Sequence, residues 1–205
     1  MAQRARWAPI DLARAYLDGG ARCLQVRAKQ LASGPFLELC DGVVQTASSY
    51  GAIVIVNDRA DLARMAGAAG VHVGQDDLPP SAARALLGPG AVVGYSTHTV
   101  QQIQLASTEP ISYVAVGPVF GTTTKDTGYA GVGLELVAAA ARLSNRLPVV
   151  AIGGITIENA PAVWEAGATS VAVIGDLLTG GNPTARVRAY LHQLPPTTNH
   201  QPPTS

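Results

Sequence analysis

Residues 52–73 of the chain read AIVIVNDRADLARMAGAAGVHV. The segment starts with an apolar, β-branched run at 52–56 and ends with another at 70–73, and both runs are typical of buried strands. Between them, the pattern of residues 58–66 predicts a helix that ends at Gly67. Two buried strands joined by a helix indicate a parallel sheet whose outer face is covered by helices.

The same alternation continues along the chain in both directions. Further strands are predicted at 22–28, 91–95, 113–116, 148–152 and 170–174, and further helices near 11–18, 35–50, 80–87, 99–107, 133–143, 157–166 and 183–192. This rhythm predicts an α/β fold, a (β/α)₈ TIM barrel, with a doubly wound open sheet as the alternative. Residues 1–10 contain no apolar run where a first strand should precede the first helix. The predicted barrel therefore has its first strand missing or truncated.

Composition limits the class of protein. With 205 residues, 47% of them apolar, we expect a single barrel domain over 1–193 and a disordered tail over 194–205, which is rich in Pro and Thr. Lys plus Arg equals Asp plus Glu at 14 each, which argues against binding nucleic acid or a membrane surface. No apolar run resembles a signal peptide or a membrane span, so a cytoplasmic location is expected. Cys23 and Cys40 are interpreted as reduced core thiols.

Polar side chains gather at the ends of the predicted strands, where the active site of a TIM barrel lies. Gln25, Arg27 and Lys29 occupy alternating positions at the end of strand 22–28. Because side chains alternate along a strand, we expect all three on one face, pointing into the mouth of the barrel. A solvent-exposed alternation would need an open strand face, which a closed barrel does not offer.

Two carboxylates follow neighbouring predicted strands. Asp58 comes after strand 52–56, and Asp77 comes after strand 70–73. Paired strands lie about 4.8 Å apart, so the two carboxylates can converge on one ion. Mg²⁺ is commonly held by one or two carboxylates together with phosphate oxygens. The pattern predicts a Mg²⁺ site, although Asp58 as the cap of the next helix is the alternative.

Two further strand ends carry hydroxyl groups. Residues 117–125 read GPVFGTTTK and follow the apolar strand at 113–116. Three hydroxyls and a lysine have no packing role at a strand end, whereas they suit a phosphate. Ser96, after strand 91–95, offers another hydroxyl for a phosphate.

Glycines follow the last two predicted strands. Gly154 and Gly175 allow a ligand to approach the main chain, and amides at the loops after the last strands of such barrels commonly bind phosphate. His72 lies in the middle of a strand and is interpreted as a hydrogen-bonded core histidine.

The charges of the predicted site match a diphosphate. Three side-chain cations and one Mg²⁺ outweigh the two carboxylates by about three positive charges, as a departing diphosphate ester requires. A second phosphate on the glycine amides would lie across the mouth. No side chain is placed as a general base or an activated nucleophile, so departure of pyrophosphate fits better than hydrolysis.

Six ordered motifs extend over the chain from Gly19 to about Thr179. They are 25–29 (QVRAK), 57–59 (NDR), 70–79 (GVHVGQDDLP), 95–98 (YSTH), 116–120 (VGPVF) with 122–125 (TTTK), and 151–156 (AIGGIT). Together they resemble the thiamine-phosphate synthase (thiamine-phosphate pyrophosphorylase) family.

The resemblance implies a reaction and a set of roles. A transferase of this kind joins 4-amino-2-methyl-5-(diphosphooxymethyl)pyrimidine to 4-methyl-5-(2-phosphoethyl)thiazole, or its carboxylate, giving thiamine phosphate and pyrophosphate. The implied mechanism is dissociative: pyrophosphate leaves first, and the thiazole nitrogen captures the pyrimidine methyl cation. Mg²⁺ would be held by Asp58 and Asp77. The implied catalytic residues are Arg27, Lys29, Ser96 and Lys125. The implied substrate-binding residues are Gln25, Val26, Arg27, Ala28, Lys29, Asn57, Ser96, Thr122, Thr123, Thr124, Lys125, Gly154, Ile174 and Gly175.

The chain departs from the family pattern at two points. The first strand is not recognisable, and Gly175 stands where many relatives have serine. The alternatives are a non-catalytic paralogue that binds thiazole phosphate or thiamine phosphate, and a thiazole tautomerase, which would need an acid/base histidine. The expected partners are two small-molecule phosphate substrates, without nucleic acid or membrane, and a homo-oligomer stays open.

Overall fold

The computed structural model describes residues 7–121, 131–144 and 147–194. Within these ranges seven strands form one parallel sheet whose spatial order follows the order of the chain. The strands are β1 (Cys23–Val26), β2 (Ile53–Asn57), β3 (Gly70–Val73), β4 (Val92–Thr97), β5 (Tyr113–Val116), β6 (Val149–Ile152) and β7 (Ser170–Ala172). A doubly wound sheet reverses direction at its switch point, and this sheet does not, so that alternative is wrong.

Helices follow the strands as the sequence predicts. They are α1 (Pro9–Asp18), α2 (Ser33–Ser48), α3 (Ala60–Met65), α4 (Pro80–Leu87), α5 (Val100–Ala106), α6 (Gly133–Leu143), α7 (Ala160–Glu165) and α8 (Pro183–Gln193), with a 3₁₀ segment at Asp176–Gly181. The predicted end of α3 is confirmed: Gly67 has a φ of 64°, and its N–H donates to the Arg64 carbonyl at 3.2 Å. None of the described helices is both long and apolar enough to cross a membrane.

The centre of the sheet is buried on both faces. Every residue of β3 is buried, and so is β2 after Ile53. Helices cover the outer face and the inner faces of the strands pack on one another, which explains why these strands are continuous apolar runs. The two strands pair in parallel, with Asn57 opposite His72, so their following loops leave from the same edge.

The sheet has an open edge, by which we mean the sides of β1 and β7 that pair with no strand in the described part of the chain. From residue 7 onward, where the described part of the chain starts, α1 is the first element and no strand precedes it, so the expectation of a missing first strand is confirmed. Side chains near the open edge are accordingly exposed: Cys23 in β1, and Ser170 and Ala172 in β7. The expectation of two core thiols is therefore wrong for Cys23, whereas Cys40 is buried.

The helical layer continues across the open edge although the sheet does not. The last helix packs on the first: the Thr184 hydroxyl donates to the Ala15 carbonyl at 2.9 Å, and an Arg188 Nη donates to the Asp18 carbonyl at 3.1 Å. A side chain at Gly19 would overlap Val187, since a Cβ there would lie 2.7 Å from the valine Cβ. The molecule is thus a barrel of eight described helices around seven described strands.

Candidate active site

The β1 end of the site shows the predicted alternation. Gln25, Arg27 and Lys29 are exposed, Val26 is buried, and Ala28 is intermediate. Because Val26 packs into the core, only its main chain is open to a ligand. Since β1 borders the open edge, an exposed strand face is available here, contrary to the expectation for a closed barrel. Exposure alone therefore does not assign these side chains to the mouth.

Of these three exposed side chains, Lys29 is placed at the strand ends by its contact with Asp58. The Lys29 Nζ lies 2.8 Å from Asp58 Oδ2. Asp58 has a φ of 64°, the one positive φ among the described non-glycine residues, and its N–H donates to the His72 carbonyl at 2.8 Å. The residue preceding α3 is Arg59, and no side chain caps the helix. The alternative that Asp58 caps this helix is therefore wrong.

A cleft of about 200 Å³ opens beside this ion pair. It is lined by Ala28, Lys29, Leu31, Phe36, Asn57, Asp58 and Arg59. Four of these are predicted site residues, drawn from the end of β2 and from the loops that follow β1 and β2. Asn57 is only 6% exposed and forms part of the wall of the cleft.

The second predicted metal ligand lies in the turn after β3. Asp77 Oδ2 accepts the Gly74 N–H at 2.8 Å, which fixes the carboxylate within the turn. Its neighbour Asp76 is exposed. In the described part of the chain, no three acidic, histidine or cysteine side chains group as metal ligands. Carboxylate oxygens such as those of Asp58 and Asp77 are the hard ligands that Mg²⁺ prefers, and phosphates and water would have to complete the shell.

Ser96 lies inside the barrel and not at its rim. Its side chain is 2% exposed, and its Oγ lies 2.8 Å from His72 Nε2. The other ring nitrogen of His72 lies 2.9 Å from the Tyr113 hydroxyl, and the two rings stack with centroids 5.7 Å apart. The interpretation of His72 as a hydrogen-bonded core histidine is confirmed.

Two residues of this network are not among those that the sequence predicts for the site. The Gln75 Nε2 donates to the Ser96 carbonyl at 2.6 Å, which ties the loop after β3 to β4. Tyr113 lies opposite Gly94 in the β4–β5 pair, and a Cβ on that glycine would lie 2.1 Å from the tyrosine Cζ. A glycine opposite a large side chain in a predicted strand pair is the signal that could have identified Tyr113.

The loop after β5 is anchored to β6 before it reaches the predicted hydroxyl cluster. The Val119 N–H donates to the Ile152 carbonyl at 2.8 Å, and the Phe120 N–H donates to the Gly153 carbonyl at 3.1 Å. The peptide bond between Gly117 and Pro118 is cis. The predicted residues of this cluster lie outside the described residues; they are Thr122, Thr123, Thr124 and Lys125.

The predicted phosphate-binding glycines lie in the loops after β6 and β7. Gly154 has a φ of 66°, and a Cβ there would lie 2.7 Å from the Phe120 Cβ, so only glycine fits. Gly175 precedes the 3₁₀ segment, and the side chain of Ile174 before it is 49% exposed. Among the described residues, neither the Gly154 nor the Gly175 N–H donates to an acceptor. Such free amides at a loop are suited to an anion.

The fold defines a class: a parallel β/α barrel, in which the functional site lies in the loops that follow the strands. Comparison with known proteins identifies one family within this class. The model of the thiamine monophosphate synthase family matches residues 3–177, and the chain belongs to that family. Its activity is accordingly that of a thiamine-phosphate synthase, a transferase of thiamine biosynthesis that acts on small-molecule substrates. The resemblance carried by the six motifs is confirmed.

Individual relatives agree with this assignment. The chain is 44% identical over 177 residues to the thiamine-phosphate synthase of Anaeromyxobacter dehalogenans, covering 86% of this chain and 79% of the relative. It is 41% identical to that of Roseiflexus castenholzii, covering 88% and 78%. Among solved structures, the thiamine phosphate pyrophosphorylase of Pyrococcus furiosus is 28% identical, with a TM-score of 0.82 and coverage of 90% and 88%. A 3-hexulose-6-phosphate synthase, at 18% identity and a TM-score of 0.69, shares the fold alone.

Proposed function

We propose that this chain joins the pyrimidine diphosphate to the thiazole phosphate, or its carboxylate, and releases pyrophosphate. The observation that carries the proposal is the contact between Lys29 and Asp58 in the cleft after β1 and β2. A cation and a carboxylate side by side at the strand ends suit a diphosphate that arrives with a divalent metal. Neither the tautomerase nor a site for an uncharged ligand would need that pair.

The diphosphate would be bound by the loops after β1, β2 and β4. Arg27 and Lys29 supply positive charge, and the buried Asn57 carboxamide supplies hydrogen bonds. Gln25, Val26 and Ala28 would contact the same substrate, Val26 through its main chain. Ser96 can contact the diphosphate only where the barrel interior opens at the end of β4, because its hydroxyl lies next to His72.

Mg²⁺ would be held by Asp58 and Asp77. Asp77 Oδ2 is engaged by the Gly74 N–H and Asp58 Oδ2 by Lys29, so each residue retains its other carboxylate oxygen for a ligand. When bound, the ion supplies positive charge beside the phosphate oxygens.

The second substrate would lie across the mouth. The amides at Gly154, Ile174 and Gly175 bind its phosphate in this proposal. By the family resemblance, Thr122, Thr123 and Thr124 would bind the thiazole substrate, and Lys125 would contact the pyrophosphate.

With the thiazole phosphate as second substrate, the proposed reaction needs no proton transfer. With its carboxylate, loss of CO2 and uptake of a proton at the same ring carbon would follow formation of the C–N bond. The bond between the pyrimidine methylene carbon and the diphosphate oxygen breaks, and both electrons leave with pyrophosphate. The thiazole nitrogen then donates its lone pair to the methylene cation, forming the new C–N bond. Charge on the leaving group is stabilised by Arg27, Lys29, Ser96 and Lys125. A site rich in such groups is what this dissociative course requires.

Incubation with both substrates and Mg²⁺ tests the proposal, with pyrophosphate and thiamine phosphate measured together. We expect the two products in equal amounts. Binding of the thiazole phosphate without any pyrophosphate release would overturn the proposal in favour of a non-catalytic binding protein. A tautomerase would instead isomerise the thiazole carboxylate without the pyrimidine substrate, and His72, buried between Tyr113 and Ser96, gives no support for that course.

A further inference from the structure

We infer that Asp176 is a positioning residue for the thiazole phosphate site, holding the loop after β6 and the turn after β7 in one arrangement. The inference rests on the proposed function, which places the substrate phosphate at these two loops. Asp176 itself is not a predicted site residue and would not touch the substrate.

The Asp176 carboxylate joins three separate elements of the fold. Its Oδ2 accepts the Ile157 N–H at 3.2 Å, from the loop after β6. The same oxygen accepts from Arg186 Nε at 3.0 Å and from the Tyr190 hydroxyl at 2.6 Å, both on α8. Its Oδ1 accepts from an Arg186 Nη at 2.8 Å. We call Asp176, Arg186, Tyr190 and the Ile157 amide the Asp176 cluster.

The cluster adjoins both glycines that would bind the phosphate. Asp176 directly follows Gly175, and Ile157 is three residues beyond Gly154 in the loop after β6. Asn159 braces the rest of that loop: its Oδ1 accepts the Thr156 N–H at 2.8 Å, and its Nδ2 donates to the Gly154 carbonyl at 3.1 Å. The distance between the two sets of amides therefore depends on the Asp176 carboxylate.

Charge explains why a carboxylate is tolerated beside a phosphate site. The Asp176 side chain is 8% exposed, and the two-pronged contact with Arg186 neutralises it. Burial alone would raise the pKa of Asp176, but the hydrogen bonds from Arg186 and Tyr190 and the charge of Arg186 lower it below its ordinary value. The carboxylate therefore stays ionised and paired, and it presents no free charge that would repel a phosphate.

The test is Asp176→Asn, which keeps the shape of the side chain and removes its charge. We expect the KM for thiazole phosphate to rise about tenfold, while kcat and the KM for the pyrimidine diphosphate change less than about twofold. With the dephosphorylated thiazole alcohol as second substrate, the variant and the wild type should have the same KM. The matched control is Asp11→Asn, which removes an exposed ion pair with Arg14 on α1 and should leave every constant unchanged.

A second variant covers the case in which Asp176→Asn does not fold. Tyr190→Phe removes one hydrogen bond and leaves the pair with Arg186 intact, and we expect a smaller rise of about threefold in the same KM. An unchanged KM in the folded variants, or equal losses with phosphorylated and dephosphorylated thiazole, would overturn the inference. If the wild type releases no pyrophosphate, the proposed function fails separately, and calorimetric binding of thiazole phosphate to the same variants still decides the inference.

Discussion

Asp58 and Asp77 are carboxylates in two neighbouring loops at one end of the sheet. Both follow the paired strands β2 and β3, whose register brings Asn57 opposite His72. Asp58 adopts a left-handed conformation that costs a non-glycine residue on the order of 1 kcal/mol, and such local strain often marks a functional position. The main-chain bond to the His72 carbonyl holds it there.

A pair of variants tests the Mg²⁺ site at this scale. Asp77→Asn should raise the Mg²⁺ concentration for half-maximal pyrophosphate release about tenfold, because it removes one of two carboxylate ligands. The control is Asp76→Asn, which changes the net charge of the protein by the same amount but at an exposed side chain. This variant should leave the half-maximal Mg²⁺ concentration unchanged. Equal shifts in both variants would indicate a general charge effect and would exclude a ligand role for Asp77.

At the scale of the element, the loop after β6 depends on a glycine that no other residue can replace. Gly154→Ala meets both a φ of 66° and a Cβ position 2.7 Å from the Phe120 Cβ. We expect a loss of about 2 kcal/mol in the free energy of unfolding, and a higher KM for thiazole phosphate. Urea unfolding and initial rates measure the two effects.

Gly34 in α2 provides the control for this substitution. A Cβ at Gly34 meets nothing within 4 Å. Gly34 is exposed, lies in the first turn of α2 and directly precedes Pro35, so we expect Gly34→Ala to change the free energy of unfolding by less than about 0.5 kcal/mol, with no change in rate constants. Destabilisation by both variants to a similar degree would contradict the role given to the Gly154 conformation.

Local patterns predicted the elements well and their long-range contacts poorly. Strands β3 and β5 have the predicted bounds, because a short β-branched run between glycines or polar residues has few other solutions. The strand β4 extends to Thr97, past the predicted end at residue 95, because Ser96 and Thr97 pair with β5 and are buried. Whether a polar residue after an apolar run continues the strand depends on its partner strand.

In the candidate site, too, local sequence patterns predict positions along the strands but not contacts between distant elements. Lys29 and Asp58 are predicted from strand ends, because parallel strands bring all such ends to one edge. The role of Asp176 is not predicted from the sequence. Its partners Arg186 and Tyr190 lie on the last helix, and no residue pattern near position 176 indicates them. Cys23 is exposed because no strand pairs with the outer side of β1 in the described part of the chain, whereas the apolar residues around it in the sequence predict burial.

At the scale of the molecule, the open edge should accept an added strand. Cys23 shares a strand face with Gln25, and closure of the barrel would bury that face. Fusion of an apolar eight-residue segment before residue 7 should raise the free energy of unfolding by on the order of 2 kcal/mol. It should also slow the reaction of the Cys23 thiol with a disulfide reagent, while Cys40 stays unreactive in either form.

A polar linker of equal length is the control for this fusion. It should change neither the stability nor the thiol reactivity, and Cys23→Ser should abolish the fast labelling in the unfused chain. If the apolar segment protects Cys23 no better than the linker does, the edge is not available for strand pairing.

The packing of α8 on α1 has a consequence for how the chain is made. The hydrogen bond between Thr184 and Ala15 joins residues 169 positions apart, so the packing of α1 on α8 can form only after the last helix has been synthesised. On the ribosome, α1 and the edge of β1 are synthesised early and remain without that covering until α8 emerges. During this interval the nascent chain leaves exposed the part of α1 that later packs on α8, and such surface favours non-specific association.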